Sequence, residues 1–181
     1  MDDDTADRSD KGPGKRPSRR TSERVSEHLS ERPRPQKSLL TRAVSHLARR
    51  EHSRAELRRK LAPYGEDAAE VDRLLDELQA KKLLSDERFV EVVKRSRGER
   101  FGAARIKQEL KAHQLDDQLV RCAVDELKHT ELARARALWQ RRFGTAASDA
   151  SERARQMRFL AQRGFSTDVI VKVVRGGDAD T

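Results

Sequence analysis

Arginine and lysine recur in three bursts along this chain of 181 residues, and they are the side chains with the clearest chemical capacity. The first burst holds Arg49, Arg50, Arg54, Arg58, Arg59 and Lys60. The second holds Lys94, Arg95, Arg97, Arg100, Arg105, Lys107 and Lys111, and the third Arg141, Arg142, Arg153, Arg155, Arg158 and Arg163. Arginine dominates, and its planar fork can grip a phosphate or carboxylate through two parallel bonds, which a lysine point charge cannot do. Recurrence at matching places in three segments is more than solubility requires. The competing account is that these charges solvate helix surfaces and pair with Glu51, Glu56, Glu99 and Glu109. Forty Lys and Arg against thirty-one Asp and Glu leave a formal charge of +9, which favours a polyanionic partner, either nucleic acid or a protein already coated with it.

Other chemistry finds no support. His46 and His52 are six apart, a spacing that sets them on opposite faces of one helix, and His28, His113 and His129 have no Cys or carboxylate pattern of metal-ligand type. No phosphate-cradling Gly-rich loop precedes a Lys-Ser or Lys-Thr pair. The lone Cys122 excludes an intrachain disulfide and reads as a small packing residue, while Asp2 to Asp4 read as an acidic tail end. The chain is therefore expected to be no enzyme and to need no cofactor or metal.

Apolar residues make up 35 % of the chain and charged residues 39 %, a poor ratio for one large core but a workable one for small helical units in a row. No apolar run approaches the roughly 20 residues of a spanning helix, and the N-terminus lacks a basic start followed by an apolar stretch, so a cytoplasmic protein without membrane contact is expected. Residues 1–36 hold only Met1, Ala6, Val25 and Leu29 as apolar side chains and cannot bury enough surface to offset the entropy of ordering. They read as a disordered, nearly neutral tail, so most of the excess charge sits on residues 37–181.

From Lys37 onward apolar residues fall three or four apart, as in Leu40, Val44, Leu47 and in Val71, Leu74, Leu75, Leu78, the spacing of one buried helix face. Sliding the chain on itself by about fifty residues brings Leu61, Leu110 and Leu160 into register, with Gly65, Gln114 and Gly164 four positions on. Further along the same register stand Val71, Val120 and Ile170, then Leu74, Ala123 and Val173, then Leu75, Val124 and Val174. Backwards, Leu57 matches Ile106, Ser53 matches Gly102, Val44 matches Val93 and Leu40 matches Phe89. The third unit starts less regularly, with a first helix read over Leu132 to Phe143 and a loop through Thr145 to Asp149.

The expected fold is all-α: three tandem three-helix repeats, 37–84, 85–129 and 130–181, in an elongated, curved array, the last with a short disordered end. Ser53, Ser85 and Ser166 are candidate N-caps. A glycine at the second turn supplies the left-handed backbone that ends a helix. Gln114 departs from that pattern, and a left-handed backbone there costs on the order of 1 kcal/mol.

Arg49 to Leu61, Arg-Arg-Glu-His-Ser-Arg-Ala-Glu-Leu-Arg-Arg-Lys-Leu, is similar to the "RREHSRxELxxKL" segment of the RecX family. Leu84 to Phe89 resembles that family's "LxDxxFA", Gly102 through Ile106 to Leu110 its "GxxxIxxEL", and Phe159 to Ser166 its "FLxxRGFS". Ser85, Val90 and Gln114 depart from the usual Asn or Asp, Ala and Gly.

The resemblance covers about residues 39–175. It implies a modular three-repeat helical protein that lodges in the groove of the RecA–DNA filament and inhibits its ATP hydrolysis, strand exchange and stimulation of repressor self-cleavage; the chain itself is expected to be a monomer. Partners would then be the RecA filament and single-stranded DNA, direct or through RecA, with weak non-specific DNA binding.

The candidate contact residues are Arg49, Arg50, Arg54, Arg58, Arg59, Lys60, Arg97, Arg100, Arg105, Lys107, Lys111, Arg142, Arg155, Arg158 and Arg163. The alternative is a helix-turn-helix-like DNA-binding repressor, whose basic second helix would enter a major groove. No segment supplies an obvious Asn, Gln and Arg reading face for it.

Overall fold

The computed structural model describes residues 38–176, and its regular elements are helices. The expected tail over 1–36, the acidic run Asp2 to Asp4, His28 and the C-terminal residues 177–181 lie outside the described residues. Repeat one contains α1 (Leu39–Leu47), α2 (Arg54–Leu61), a 3-10 turn (Ala62–Tyr64) and α3 (Ala68–Ala80). Repeat two contains α4 (Asp86–Gly98), α5 (Ala103–Ala112) and α6 (Asp117–His129), and repeat three α7 (Glu131–Arg142), α8 (Ala150–Ala161) and α9 (Thr167–Gly176).

Each repeat closes on its own core, built from the residues in register. Leu57, Leu61, Val71 and Leu75 are buried in the first, Ile106, Leu110, Val120 and Val124 in the second, Leu160, Ile170, Val173 and Val174 in the third. Helices of eight to thirteen residues are too short to persist alone, so this burial holds them. Caps fix where they begin. The side chains of Ser53, Ser85, Asp67, Asp116 and Asp149 accept from first-turn amides of α2, α4, α3, α6 and α8. Ahead of α9 the Ser166 hydroxyl donates to Glu131 Oε2 across 3.0 Å.

Several sequence expectations are corrected. Leu40 and Val44 are 49 % and 46 % exposed, although their register partners Phe89 and Val93 are buried. The first helix of repeat two borders repeat one, where Phe89 and Val93 line a cleft with Arg50, Glu51 and Glu56. Among the described residues no repeat precedes α1, whose inward face is instead Leu39, Ala43 and Leu47. His46 and His52 do not share a helix, because α1 ends at Leu47, and the chain folds back to bring their rings edge to face at 5.8 Å. Cys122 is exposed rather than packed.

The turns also differ. Gly164 and Gln114 are left-handed, at φ 79° and 53°, but Gly65 is extended at φ −84° because the 3-10 turn containing Pro63 has already redirected the chain. Gly65 is needed for space, since a Cβ there would meet Val71 Cγ2 at 2.7 Å. An unforeseen left-handed residue, Lys82 at φ 57°, ends α3 and turns Leu84 into the first core.

The two joints between repeats follow one plan. At the first, Asp86 in α4 accepts from the Arg54 amide that opens α2 (2.8 Å), and the α5–α6 turn places His113 Nδ1 3.2 Å from Ser53 Oγ. At the second, Glu131 in α7 accepts from the Ala103 amide that opens α5 (2.9 Å), and the α8–α9 turn places the Arg163 carbonyl 2.9 Å from the Gly102 amide. Gly102 replaces Ser53 because the backbones touch there: a Cβ would lie 2.1 Å from the Gly164 oxygen.

Candidate functional site

In repeat one the fold commits most of the basic residues to internal ion pairs. Arg50 donates to both Glu56 oxygens, His52 Nδ1 lies 3.1 Å from Glu56 Oε1, and Lys60 Nζ stands 3.9 Å away. Burial works to raise the Glu56 carboxyl, but the Arg50 hydrogen bonds and the adjacent His52 outweigh it and hold its pKa at about 2. Arg58 grips Asp72 with two bonds, at 2.7 and 2.9 Å, and Arg54 reaches Asp76 at 2.7 Å as well as Gln79. Arg49 and Arg59 are exposed and meet no carboxylate among the described residues.

Repeat two divides differently. Arg97 pairs with Glu109 at 3.3 Å, and Lys94 is held between Glu91 and Glu126. Arg100, Arg105, Lys107 and Lys111 are exposed and have no carboxylate partner among the described residues. In repeat three Arg155 pairs with Glu152 at 3.1 Å, whereas Arg142, Arg158 and Arg163 meet no carboxylate among the described residues.

The fold gathers unpaired arginines at the joint of repeats two and three. Arg105 Nη1 donates to the Gln162 carbonyl at 3.2 Å, which brings it beside Arg163. Burial lowers the Arg163 pKa, and the charges of Arg105, Arg100 and Arg142 lower it further, so three guanidinium groups repel that of Arg163. Phenylalanine rings sit between them. Arg163 Cζ lies 3.6 Å from the Phe159 ring centre, Arg105 Cζ 4.3 Å from that of Phe101, and Arg142 and Arg155 approach Phe143 at 5.9 and 5.8 Å. Phe143 and Phe159 meet edge to face at 5.2 Å. With Arg142, Arg155, Arg158 and Gln162 they line a cleft of about 370 Å3.

An array of forks with few counter-charges, interleaved with aromatic rings, suits a ligand that carries repeated negative charge. The rings belong to this site although the basic bursts alone did not identify them. A signal for them was available: four of the five phenylalanines directly follow an arginine, as Arg88-Phe89, Arg100-Phe101, Arg142-Phe143 and Arg158-Phe159.

Arg134 and Glu131 carry charge but serve the scaffold. Arg134, half-buried, donates to the carbonyls of Gly98, Phe101 and Leu127, closing the C-terminal ends of α4 and α6. No group of three or more potential metal ligands occurs among the described residues, and no described helix is long and apolar enough to cross a membrane.

Comparison with known proteins matches all three repeats to one family. Residues 40–78 match the first three-helix domain of RecX, 85–124 the second and 129–174 the third. The chain is 50 % identical over 147 residues to "Regulatory protein RecX" of Ralstonia nicotianae, covering 81 % of this chain and 92 % of that one. It is 54 % identical over 145 residues to the protein of the same name from Leptothrix cholodnii, covering 80 % and 92 %. The crystal structure of RecX from Lactobacillus salivarius superposes with a TM-score of 0.65 at 19 % identity, covering 78 % of this chain and 95 % of that one, which shows a common fold. Three domain matches in the family's order, and identity near one half across most of the chain, establish that the chain belongs to the RecX family of regulatory proteins.

Proposed function

We propose that this protein binds the RecA–DNA filament and restrains it, lowering ATP hydrolysis, strand exchange and the filament's stimulation of repressor self-cleavage, and so acts in recombination, DNA repair and control of the SOS response. It does this by binding, as a monomer in the cytoplasm, with no catalysis of its own. Family membership supports a regulatory role, and the arginine patch at the second joint supports the choice of partner. Five arginines, Arg100, Arg105, Arg142, Arg158 and Arg163, have no carboxylate partner among the described residues, and Arg163 is held against the repulsion of three of them. A surface selected only for solubility mixes its signs. A filament coated on nucleic acid supplies the missing negative charge.

The linear order of the repeats also fits a helical polymer. The nine helices among the described residues, each roughly 12–20 Å long at 1.5 Å per residue, are divided among three cores, so different repeats can reach successive protomers of a filament. A body fixed across protomers opposes the relative movements that turnover and strand exchange require.

The deciding assay is the single-stranded-DNA-dependent ATPase of RecA with this protein at substoichiometric amounts. Turnover falls on this reading; unchanged turnover refutes it. Tight, salt-tolerant preference for one duplex sequence would mark a repressor instead.

A further inference from the structure

The two joints between repeats are closed by bonds of different kinds. At the second, the Gly102 amide donates to the Arg163 carbonyl at 2.9 Å, a backbone bond with no group that titrates near neutrality. At the first, the equivalent residues meet through side chains, Ser53 Oγ and His113 Nδ1, 3.2 Å apart. Histidine is the side chain whose charge changes closest to neutral pH. Ser53 stands in the register where repeat two has Gly102, so a hydroxyl takes the place of the close backbone contact.

The direction of the Ser53–His113 bond follows from burial. Ser53 has no exposed surface, and its Oγ accepts from the Glu56 amide at 3.1 Å as the N-cap of α2. Its hydroxyl hydrogen still needs an acceptor, and His113 Nδ1 is the one it meets among the described residues. A ring that accepts at Nδ1 is neutral and carries its proton on Nε2. A second proton, placed on Nδ1, turns this acceptor into a donor and leaves the buried hydroxyl without one.

The surroundings do not favour that second proton. Burial holds the His113 pKa below the ordinary 6.5; of the nearby charges Glu56 and Glu109 favour the proton, while Arg59 and Arg50 oppose it. Both carboxylates are already engaged, Glu56 by Arg50 and Glu109 by Arg97, and Glu51 in the same cleft pairs with Arg88. His52 pairs with Glu56 inside repeat one, so His113 is the histidine that bridges the joint.

We propose that the joint between repeats one and two is an acid-sensitive hinge: protonation of His113 breaks its bond to Ser53 and loosens repeat one, while repeats two and three stay locked by their backbone bond. The neutral ring fits the closed joint, so closure is unaffected above pH 6.5 and weakens as pH falls below it. A body that spans protomers would then lose the fixed place of repeat one in acid. That consequence rests on the proposed function; the hinge itself does not.

The test uses the full chain alone and follows backbone amide exchange by nuclear magnetic resonance, each rate being taken relative to that of an unstructured chain at the same pH. Two amides report the joints: Arg54, bonded to Asp86 at the first, and Ala103, bonded to Glu131 at the second. Protection of Arg54 should fall by up to about tenfold for each pH unit below 6.5, the limit for one proton, and protection of Ala103 should hold. In His113→Asn the side-chain oxygen accepts from Ser53 in place of Nδ1 but does not titrate, so the fall at Arg54 should vanish. Nitrogen shifts of the His113 ring at neutral pH should show Nδ1 without a proton.

If H113N does not fold, the contrast between the two amides in the unsubstituted chain and the ring shifts still decide. An Arg54 protection that is flat with pH, an equal fall at Ala103, a fall that persists in folded H113N, or a proton on Nδ1 of the neutral ring overturns the hinge. Because RecA is absent from the experiment, any of these results leaves the proposed function standing.

Discussion

Glu131 is the residue through which repeats two and three are most directly joined, and its removal has a calculable consequence. The carboxylate is buried, accepts from the Ala103 amide at 2.9 Å and from the Ser166 hydroxyl at 3.0 Å, and lies close to the half-buried Arg134. A hydrogen bond to a charged group contributes roughly 1.5–3 kcal/mol, and a buried donor left unmade costs a further desolvation penalty. Against this, removing a buried charge returns part of its own desolvation cost. The net for Glu131→Ala is about 3 kcal/mol, which for a chain of this length corresponds to a fall of roughly 6–12 °C in Tm. Glu131→Gln keeps one acceptor oxygen for the Ala103 amide and should cost about 1 kcal/mol. The measurement is urea denaturation followed in parallel by far-ultraviolet circular dichroism, which reports all repeats, and by fluorescence of Trp139, the sole tryptophan, buried in repeat three. Glu131→Ala should lower both midpoints and drive them apart, because repeat three loses its coupling to repeat two. Unfolding free energies within about 0.5 kcal/mol of the parent chain by both probes would refute the assignment of Glu131 as the bond of the joint.

Glu56 predicts an acid limb of stability. Burial alone would raise its pKa, but its partners hold it at about 2 against an ordinary value of 4.5, so its contribution is complete above pH 4.5 and is lost as pH falls through 2. The contribution is on the order of 2–3 kcal/mol, and Glu56→Gln should remove that part of the pH dependence in urea titrations run from pH 6 downwards. Gln114→Gly should raise stability by up to about 1 kcal/mol by relieving left-handed strain, whereas Gly164→Ala, at φ 79° with Arg105 Cβ 2.7 Å from the added carbon, should lose about 2 kcal/mol or more; thermal melts of both check the sign. Gln156→Leu leaves the Trp139 indole N–H, now 2.8 Å from Gln156 Oε1, without its acceptor and should cost roughly 1–3 kcal/mol, read from the Trp139 unfolding transition.

What could be read from residue types and spacing was whatever repeats along the chain. Leu61, Leu110 and Leu160 are all fully buried, because a core position in one repeat is a core position in each when the unit recurs. The same logic failed at Leu40 and Val44, whose burial in the second unit comes from the preceding repeat and not from their own. Gly65 failed for a related reason: the register gives the position of a turn, while the neighbouring Pro63 decides its backbone. Composition could not reveal that Glu131 and Arg134 are structural, since a charge that closes a helix end from a distant segment looks in the sequence like any solvated charge.

The basic residues show the limit most clearly. Three bursts look equivalent as a string, yet repeat one spends Arg50, Arg54 and Arg58 on Glu56, Asp76 and Asp72, while Arg105, Arg142, Arg158 and Arg163 find no carboxylate among the described residues. Pairing is decided by which acid the fold brings opposite each base, and Asp72 and Asp76 lie on α3, one helix further along. Charge reversal at Arg58 would therefore break the bidentate bond to Asp72 and set two carboxylates against each other, so lost binding in that variant would report a disturbed repeat rather than a missing contact. Reversal at Arg142 or Arg158 breaks no ion pair among the described residues. For a surface of this kind the informative substitutions are the bases that the fold leaves unpaired, and these lie together at the joint of repeats two and three.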